Sequence, residues 1–338
     1  MKRVLSIAAL LACLAASAQQ PSTGPQSGVR YATDAYPGFD FADSSVKPTK
    51  KEPGLFSWWS GPKRDTPAEQ LGWCVEQLRS ASWGAARRGL DALVRAWPAS
   101  AEAPRAQKAL ADLLLRHYLD YGAAFAEYRY LLDFYSMQCD YDAVAAQMYK
   151  VANLMRQEGK TVVFFRFANT VEVRQAYEAL VLRAPGAEFV PDAMLAIAEL
   201  REEDGELEEA VAVYENLRNL HASTDQARTA LYREARARME LLRRHEYNRD
   251  RCRDTIEFLR RAEENGSGVE GREDFAAWRA EAVAMIEDEA FGAAKFYDSR
   301  TRTRRSAISA YETFVRDYPA SIHVPEALER IQALKGGE

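Results

Sequence analysis

Histidine and cysteine are both scarce, four of each in 338 residues. His117, His221, His245 and His323 stand far apart, with no H-E-x-x-H and no i, i+4 pair, so the zinc-enzyme signature fails. No C-x-x-C pair occurs, which removes zinc ribbons and dithiol redox motifs. Past the first residues only Cys74, Cys139 and Cys252 remain. They read as buried free thiols, a Cys74–Cys139 bridge being the alternative in an oxidising compartment. G-x-S-x-G, P-loop and G-x-G-x-x-G patterns are missing too, so the common hydrolase and nucleotide signatures fail and no metal or cofactor is implied. Positive charge is not in excess: 45 Lys and Arg face 50 Asp and Glu, a net charge of −5. A general nucleic-acid binder needs the opposite balance to displace counterions.

The apolar runs are short. Met1-Lys2-Arg3 followed by the apolar stretch Val4 to Leu14 is too brief to span a bilayer, and Ala16-Ser17-Ala18 supplies the small-x-small pattern of a signal peptidase site. Residues 1–18 therefore read as a signal peptide, and its removal takes the net charge from −5 to −7. A competing reading takes Leu10-Leu11-Ala12-Cys13 as a lipobox, with Cys13 acylated as the mature N-terminus. Either processing implies export to the periplasm, the second with an anchor on the inner face of the outer membrane. Residues 19–65 then hold six of the thirteen prolines among Ser, Gly, Thr and Gln, the composition of an extended tether. Aromatic clusters at Tyr36, Phe39 and Phe41 and at Phe56, Trp58 and Trp59 interrupt it. The Trp pair suits a membrane interface, but folding back on the first helices is the preferred reading.

Proline thins out after residue 67, and amphipathic 3.6-residue periodicity takes over. Thr66-Pro67-Ala68-Glu69 is a capping box with Pro at the first helical position. Residues 66–335 read as all-α, apart from the β-branched and aromatic run Thr161 to Phe167. Six segments share one pattern: a small residue, a large one four places on, and a large apolar one three beyond. They are Ala86/Leu90/Leu93, Ala124/Tyr128/Leu131, Val173/Tyr177/Leu180, Ala210/Tyr214/Leu217, Cys252/Ile256/Leu259 and Ala307/Tyr311/Phe314. Eight residues after the middle member come Pro98, Pro185 and Pro319 in three of the six. Such offsets put each triplet on one helix face, the small member admitting a partner helix and Pro ending the pair.

This helix–turn–helix grammar resembles tetratricopeptide repeats with insertions, in preference to an ordinary helical bundle. A lone hairpin of this kind cannot bury its own apolar face and needs neighbours. The expected fold is thus an α-solenoid of about six hairpins, closed by a lone helix at Ser321 to Leu334. Hairpin turns are expected at Tyr121-Gly122 and Asp204-Gly205, and loops at residues 157–170 and 264–273.

Within this pattern the stretch Asp288 to Ile331, carrying Ala294-Lys295-Phe296-Tyr297, Ala307, Tyr311 and a turn at Tyr318 to Ser321, resembles the last repeat of the BamD family. Residues 176–217 resemble that family's middle repeats. The resemblance implies a non-enzymatic scaffold of the outer-membrane β-barrel assembly machinery, with the barrel-forming assembly subunit and unfolded outer-membrane proteins as partners. A periplasmic adaptor for envelope or cell-division complexes, similar to the CpoB family, is the second reading.

Two charge runs invite a site. Glu199, Glu202, Glu203, Asp204, Glu206, Glu208 and Glu209 straddle a helix turn and read as solvated charge, and Arg233, Arg236, Arg238, Arg243 and Arg244 as an exposed helix face. Arg300, Arg302, Arg304 and Arg305 fall together at the last inter-helix turn, where four cations repel unless solvated or paired. They are the candidate docking site for an acidic partner surface, against the alternative of a solvated turn.

Overall fold

The computed structural model describes residues 61–161, 166–244, 247–300 and 304–336. Residues 1–60, with the signal segment, Cys13 and nearly all of the tether, lie outside the described residues. Among the described residues there is no strand, and thirteen α-helices follow one another: α1 Pro67–Arg79, α2 Trp83–Ala96, α3 Ala103–Leu113, α4 Tyr121–Tyr135, α5 Tyr141–Thr161, α6 Arg166–Arg183, α7 Val190–Asp204, α8 Leu207–Leu220, α9 Asp225–Arg244, α10 Arg249–Asn265, α11 Asp274–Arg300, α12 Arg304–Asp317 and α13 Val324–Gly336. Within the two units helices that follow one another pack together, α1 to α6 in sequence and α8 to α13 in sequence. The class is an all-α, tetratricopeptide-like α-solenoid: six hairpins, α1/α2 to α11/α12, and the lone α13.

Every triplet falls on the second helix of a hairpin. The small member is at most 2 % exposed in all six. Leu90, Tyr128, Tyr177 and Tyr214 are fully buried, Tyr311 nearly so, and Ile256 half-buried. Each such side chain removed from water contributes about 1.5–3 kcal/mol. Pro98, Pro185 and Pro319 stand just beyond the ends of α2, α6 and α12, where a missing N–H does no harm.

The chain divides into two compact units, residues 1–193 and 194–338. The first holds α1 to α6. Its entry is set by Gln70, fully buried on α1: Nε2 donates to the Gly89 carbonyl at 3.1 Å, and Oε1 accepts from the backbone N–H of Lys63 and Arg64 at 2.8 and 3.0 Å. Thr66 caps α1 through the Glu69 N–H. Gly89 lets α2 approach closely, since a Cβ there would lie 2.5 Å from the Trp73 ring and 2.8 Å from Cys74 Sγ. Asp133 and Arg183 form a bidentate pair at 2.8 and 3.0 Å between α4 and α6, both largely buried.

Three local expectations are corrected here. The turn before α4 is not Tyr121-Gly122: a π-helical turn, Leu114–Tyr118, carries α3 onward, Leu119 adopts a left-handed conformation (φ 55°) and Asp120 caps α4 through the Ala123 N–H. The loop expected at residues 157–170 is helical up to Thr161 and again from Arg166, residues 162–165 lying outside the described ones. At the other expected loop the helix holds to Asn265, leaving residues 266–273.

The second unit holds most of α7 and α8 to α13. Asp204-Gly205 forms its first turn, with Gly205 at φ 82°. Phe275, Met239, Leu259 and Ala282 build a core under residues 266–273, and Gly271 (φ 81°) lies so close to Tyr232 that no Cβ fits. Phe291, Tyr311, Phe314, Ala327 and Ile331 form the core beneath α13.

Candidate partner-binding surface

The tyrosines of the triplets carry more than bulk. Each donates its hydroxyl to a polar side chain on the first helix of its own hairpin: Tyr128 to Asp112, Tyr177 to Asn153 (2.6 Å), Tyr214 to Glu202 (2.8 Å) and Tyr311 to Asp298 (3.3 Å). Burial and the facing carboxylate push the Tyr214 and Tyr311 phenols up, Tyr311 to about 12. These groups are therefore neutral donors that lock helix to helix. The acceptors lie 12 to 24 positions upstream at irregular spacing, so nothing in the local pattern betrays them.

The charge runs also behave differently from the solvated faces expected of them. On α7, Glu199 and Glu202 meet Arg233 and Arg236 of α9 at 3.1 to 3.2 Å. Arg243 of α9 meets Glu281 of α11 at 2.7 Å, and Asp298 of α11 meets Arg330 of α13 at 2.5 Å. Lys295–Glu326 and Asp288–His323 add two contacts at 3.1 and 2.6 Å. Successive first helices of the second unit are thus laced together by ion pairs. Hydrogen bonding to Arg330 holds the Asp298 carboxyl below its ordinary value, and Arg243 does the same for Glu281.

Glu234 is the extreme case. Its side chain is fully buried on α9 and takes Arg218 Nε at 2.7 Å and Arg238 Nε at 2.8 Å. Both guanidiniums lie over the Phe258 ring, 5.3 and 4.6 Å from its centre. An Arg–Glu–Arg triad therefore ties α8, α9 and α10, where the sequence suggested only an exposed face.

Against this self-paired background the last turn stands out. Arg304 and Arg305 open α12 and are exposed, and among the described residues neither forms an ion pair. Two cations at a helix N-terminus oppose the macrodipole, at about 0.3–1 kcal/mol each. Phe296 (53 % exposed) and Tyr297 (46 %) lie on the last turns of α11 before it. Arg302 and the Arg300 side chain lie outside the described residues.

Cys74 and Cys252 are buried and Cys139 half-buried, all three as free thiols. Burial pushes Cys74 up to about 12, and burial with neighbouring Asp140 pushes Cys139 up to about 11, so neither is a ready nucleophile. Among the described residues no group of three His, Cys, Asp or Glu is placed to hold a metal ion, and no helix is long and apolar enough to cross a membrane.

Residues 192–224 match the family model described as tetratricopeptide repeat. The matched repeat covers nearly all of α7 and the whole of α8, the hairpin locked by Tyr214 and Glu202. Repeats of this type mediate binding between proteins. A solved tetratricopeptide repeat protein from Parabacteroides merdae is similar over 80 % of this chain and 99 % of its own, at 11 % identity and a TM-score of 0.29. No curated protein matches the chain.

Proposed function

We propose that this protein is a non-enzymatic scaffold of outer-membrane β-barrel protein assembly, exported to the periplasm and binding partner proteins through its helical repeats. The partners of this reading are the barrel-forming assembly subunit and unfolded outer-membrane proteins. Arg300, Arg302, Arg304 and Arg305 dock the acidic surface of such a partner. One observation carries the docking role: Arg304 and Arg305 remain unpaired and exposed at the unfavourable end of α12, which follows the exposed Phe296 and Tyr297 of α11, in a unit where Glu202, Arg243 and Asp298 of the first helices are each paired. Aromatic and arginine side chains are what protein interfaces concentrate at their energetic centres.

Cross-linked pull-down from the native envelope tests the reading. A barrel-assembly subunit is the expected capture, lost when Arg304 and Arg305 are both changed to Glu. Recovery of division proteins alone overturns it in favour of the envelope-adaptor reading. Unchanged capture by the R304E/R305E chain removes the docking site while leaving the scaffold reading in place.

A further inference from the structure

One end of the first unit carries an aromatic and cationic surface on strained backbone. At the α1/α2 turn Ala81 sits at φ 57°, and at the α3/α4 turn Leu119 sits at φ 55°, the two non-glycine residues of positive φ among the described residues. Such conformations each cost on the order of 1 kcal/mol, and the α7/α8 turn uses Gly205 instead. The Trp83 and His117 rings stack with centroids 4.4 Å apart, Tyr118 packs edge-on against His117 at 5.0 Å, and Arg87 lies over Tyr118 at 5.3 Å. Tyr118 (37 %) and Leu119 (57 %) are exposed. Arg79 ends α1 and Arg87 and Arg88 lie in the first two turns of α2, on either side of the Ala81 turn; all three are exposed and form no ion pair among the described residues. The π-helical turn that presents Tyr118 is a geometry found frequently at functional sites.

The chain itself contains a segment of complementary chemistry. Residues 31–43, Tyr-Ala-Thr-Asp-Ala-Tyr-Pro-Gly-Phe-Asp-Phe-Ala-Asp, hold three Asp, four aromatic rings and no Lys or Arg. Both processings of the N-terminus considered above retain it. Asp43 lies eighteen positions before Gly61, and a stretch of that length reaches at most about 60 Å. The entry point is fixed by Gln70 at the start of α1. From there to the α1/α2 turn is about 20 Å, the length of a thirteen-residue helix.

We propose that residues 31–43 dock in cis on this end of the first unit, their rings against Tyr118 and Leu119 and Asp34, Asp40 and Asp43 toward Arg79, Arg87 and Arg88. An intramolecular ligand needs only weak contacts, because its tether supplies an effective concentration in the millimolar range. The proposal is independent of the role assigned above to Arg304 and Arg305.

The test places the photo-cross-linker p-benzoylphenylalanine at Leu119, and separately at Arg88, in the full mature chain. After irradiation the expected product is a monomer whose cross-linked peptide, identified by mass spectrometry, comes from residues 31–43. Changing Asp34, Asp40 and Asp43 together to Lys lowers the yield at least about fivefold, as loss of several weak ion pairs predicts. In the chain carrying the cross-linker at Leu119, adding Arg79→Glu, Arg87→Glu and Arg88→Glu restores the yield, which damage to the fold would not do. Cross-links to another part of the chain, to a second copy or to a different protein overturn the proposal. A yield that the charge reversals leave unchanged overturns it equally.

Discussion

Glu234 offers the sharpest test of how the second unit is held together. Glu234→Gln keeps the shape of the side chain but removes the charge shared by Arg218 and Arg238, and turns one acceptor oxygen into a donor facing a guanidinium. The carboxylate is fully buried, whereas the two arginine side chains retain 26 and 22 % exposure. Breaking a buried ion pair from one side costs about 3–5 kcal/mol. Partial resolvation of the arginines reduces this to roughly 2–4 kcal/mol, with one amide oxygen left to accept. For a unit of this size that lowers the melting temperature by about 5–12 °C. Hydrogen exchange followed by mass spectrometry supplies the local readout: amides of α8, α9 and α10 lose protection, and those of α1 to α4 keep theirs. Converting the triad together, Glu234→Leu with Arg218→Met and Arg238→Met, recovers most of the loss, because no unpaired charge is then left beside Phe258. A melting temperature within 1 °C of the parent for the single Gln variant, or exchange unchanged in α8 to α10, would refute the account.

Gly89→Ala should destabilise by about 1–3 kcal/mol despite the better helix propensity of Ala, because the new methyl meets Trp73 and Cys74; tryptophan fluorescence of the first unit and chemical denaturation check it. Ala81→Gly should stabilise slightly, on the order of 0.5 kcal/mol, by relieving a left-handed alanine at an exposed turn, read from thermal melts. Asp298 ionises more readily folded than unfolded, so its pairing stabilises at neutral pH and that contribution fades as pH falls below about 4. Asp298→Asn should therefore flatten the fall of melting temperature between about pH 5 and 2.5, whereas an identical acid limb in both chains would contradict the pairing. Tyr177→Phe, which strands the half-buried Asn153, should cost about 1 kcal/mol, read from a lower denaturant midpoint at unchanged m-value.

The hairpins were readable because their cause is local. A small residue, then a ring, then an aliphatic at offsets of four and three specify one helix face, and the closing prolines mark where α2, α6 and α12 must stop. The Leu119 turn was not readable, since a π-helical extension ended by a left-handed leucine violates the usual turn chemistry that made Tyr121-Gly122 attractive. The charge lacing was hidden for a different reason. Glu202 and Arg236 are 34 positions apart, Arg243 and Glu281 are 38 apart, and a lone acidic or basic run looks the same whether or not a complementary run comes alongside. The arginines proposed to dock a partner were visible as composition; that Arg304 and Arg305 stay unpaired emerges only from the packing.

The lacing of the first helices has a consequence for how such a protein can change over generations. α7 offers acids to α9, and α9 offers Arg243 to the acid of α11. Excising the α9/α10 hairpin in frame would leave Glu199 and Glu202 without Arg233 and Arg236, and Glu281 without Arg243, although every apolar seam were rebuilt. Repeats in this half are therefore keyed to their position by complementary charge as well as by apolar packing, so shortening or reordering them separates acids from the arginines that pair with them.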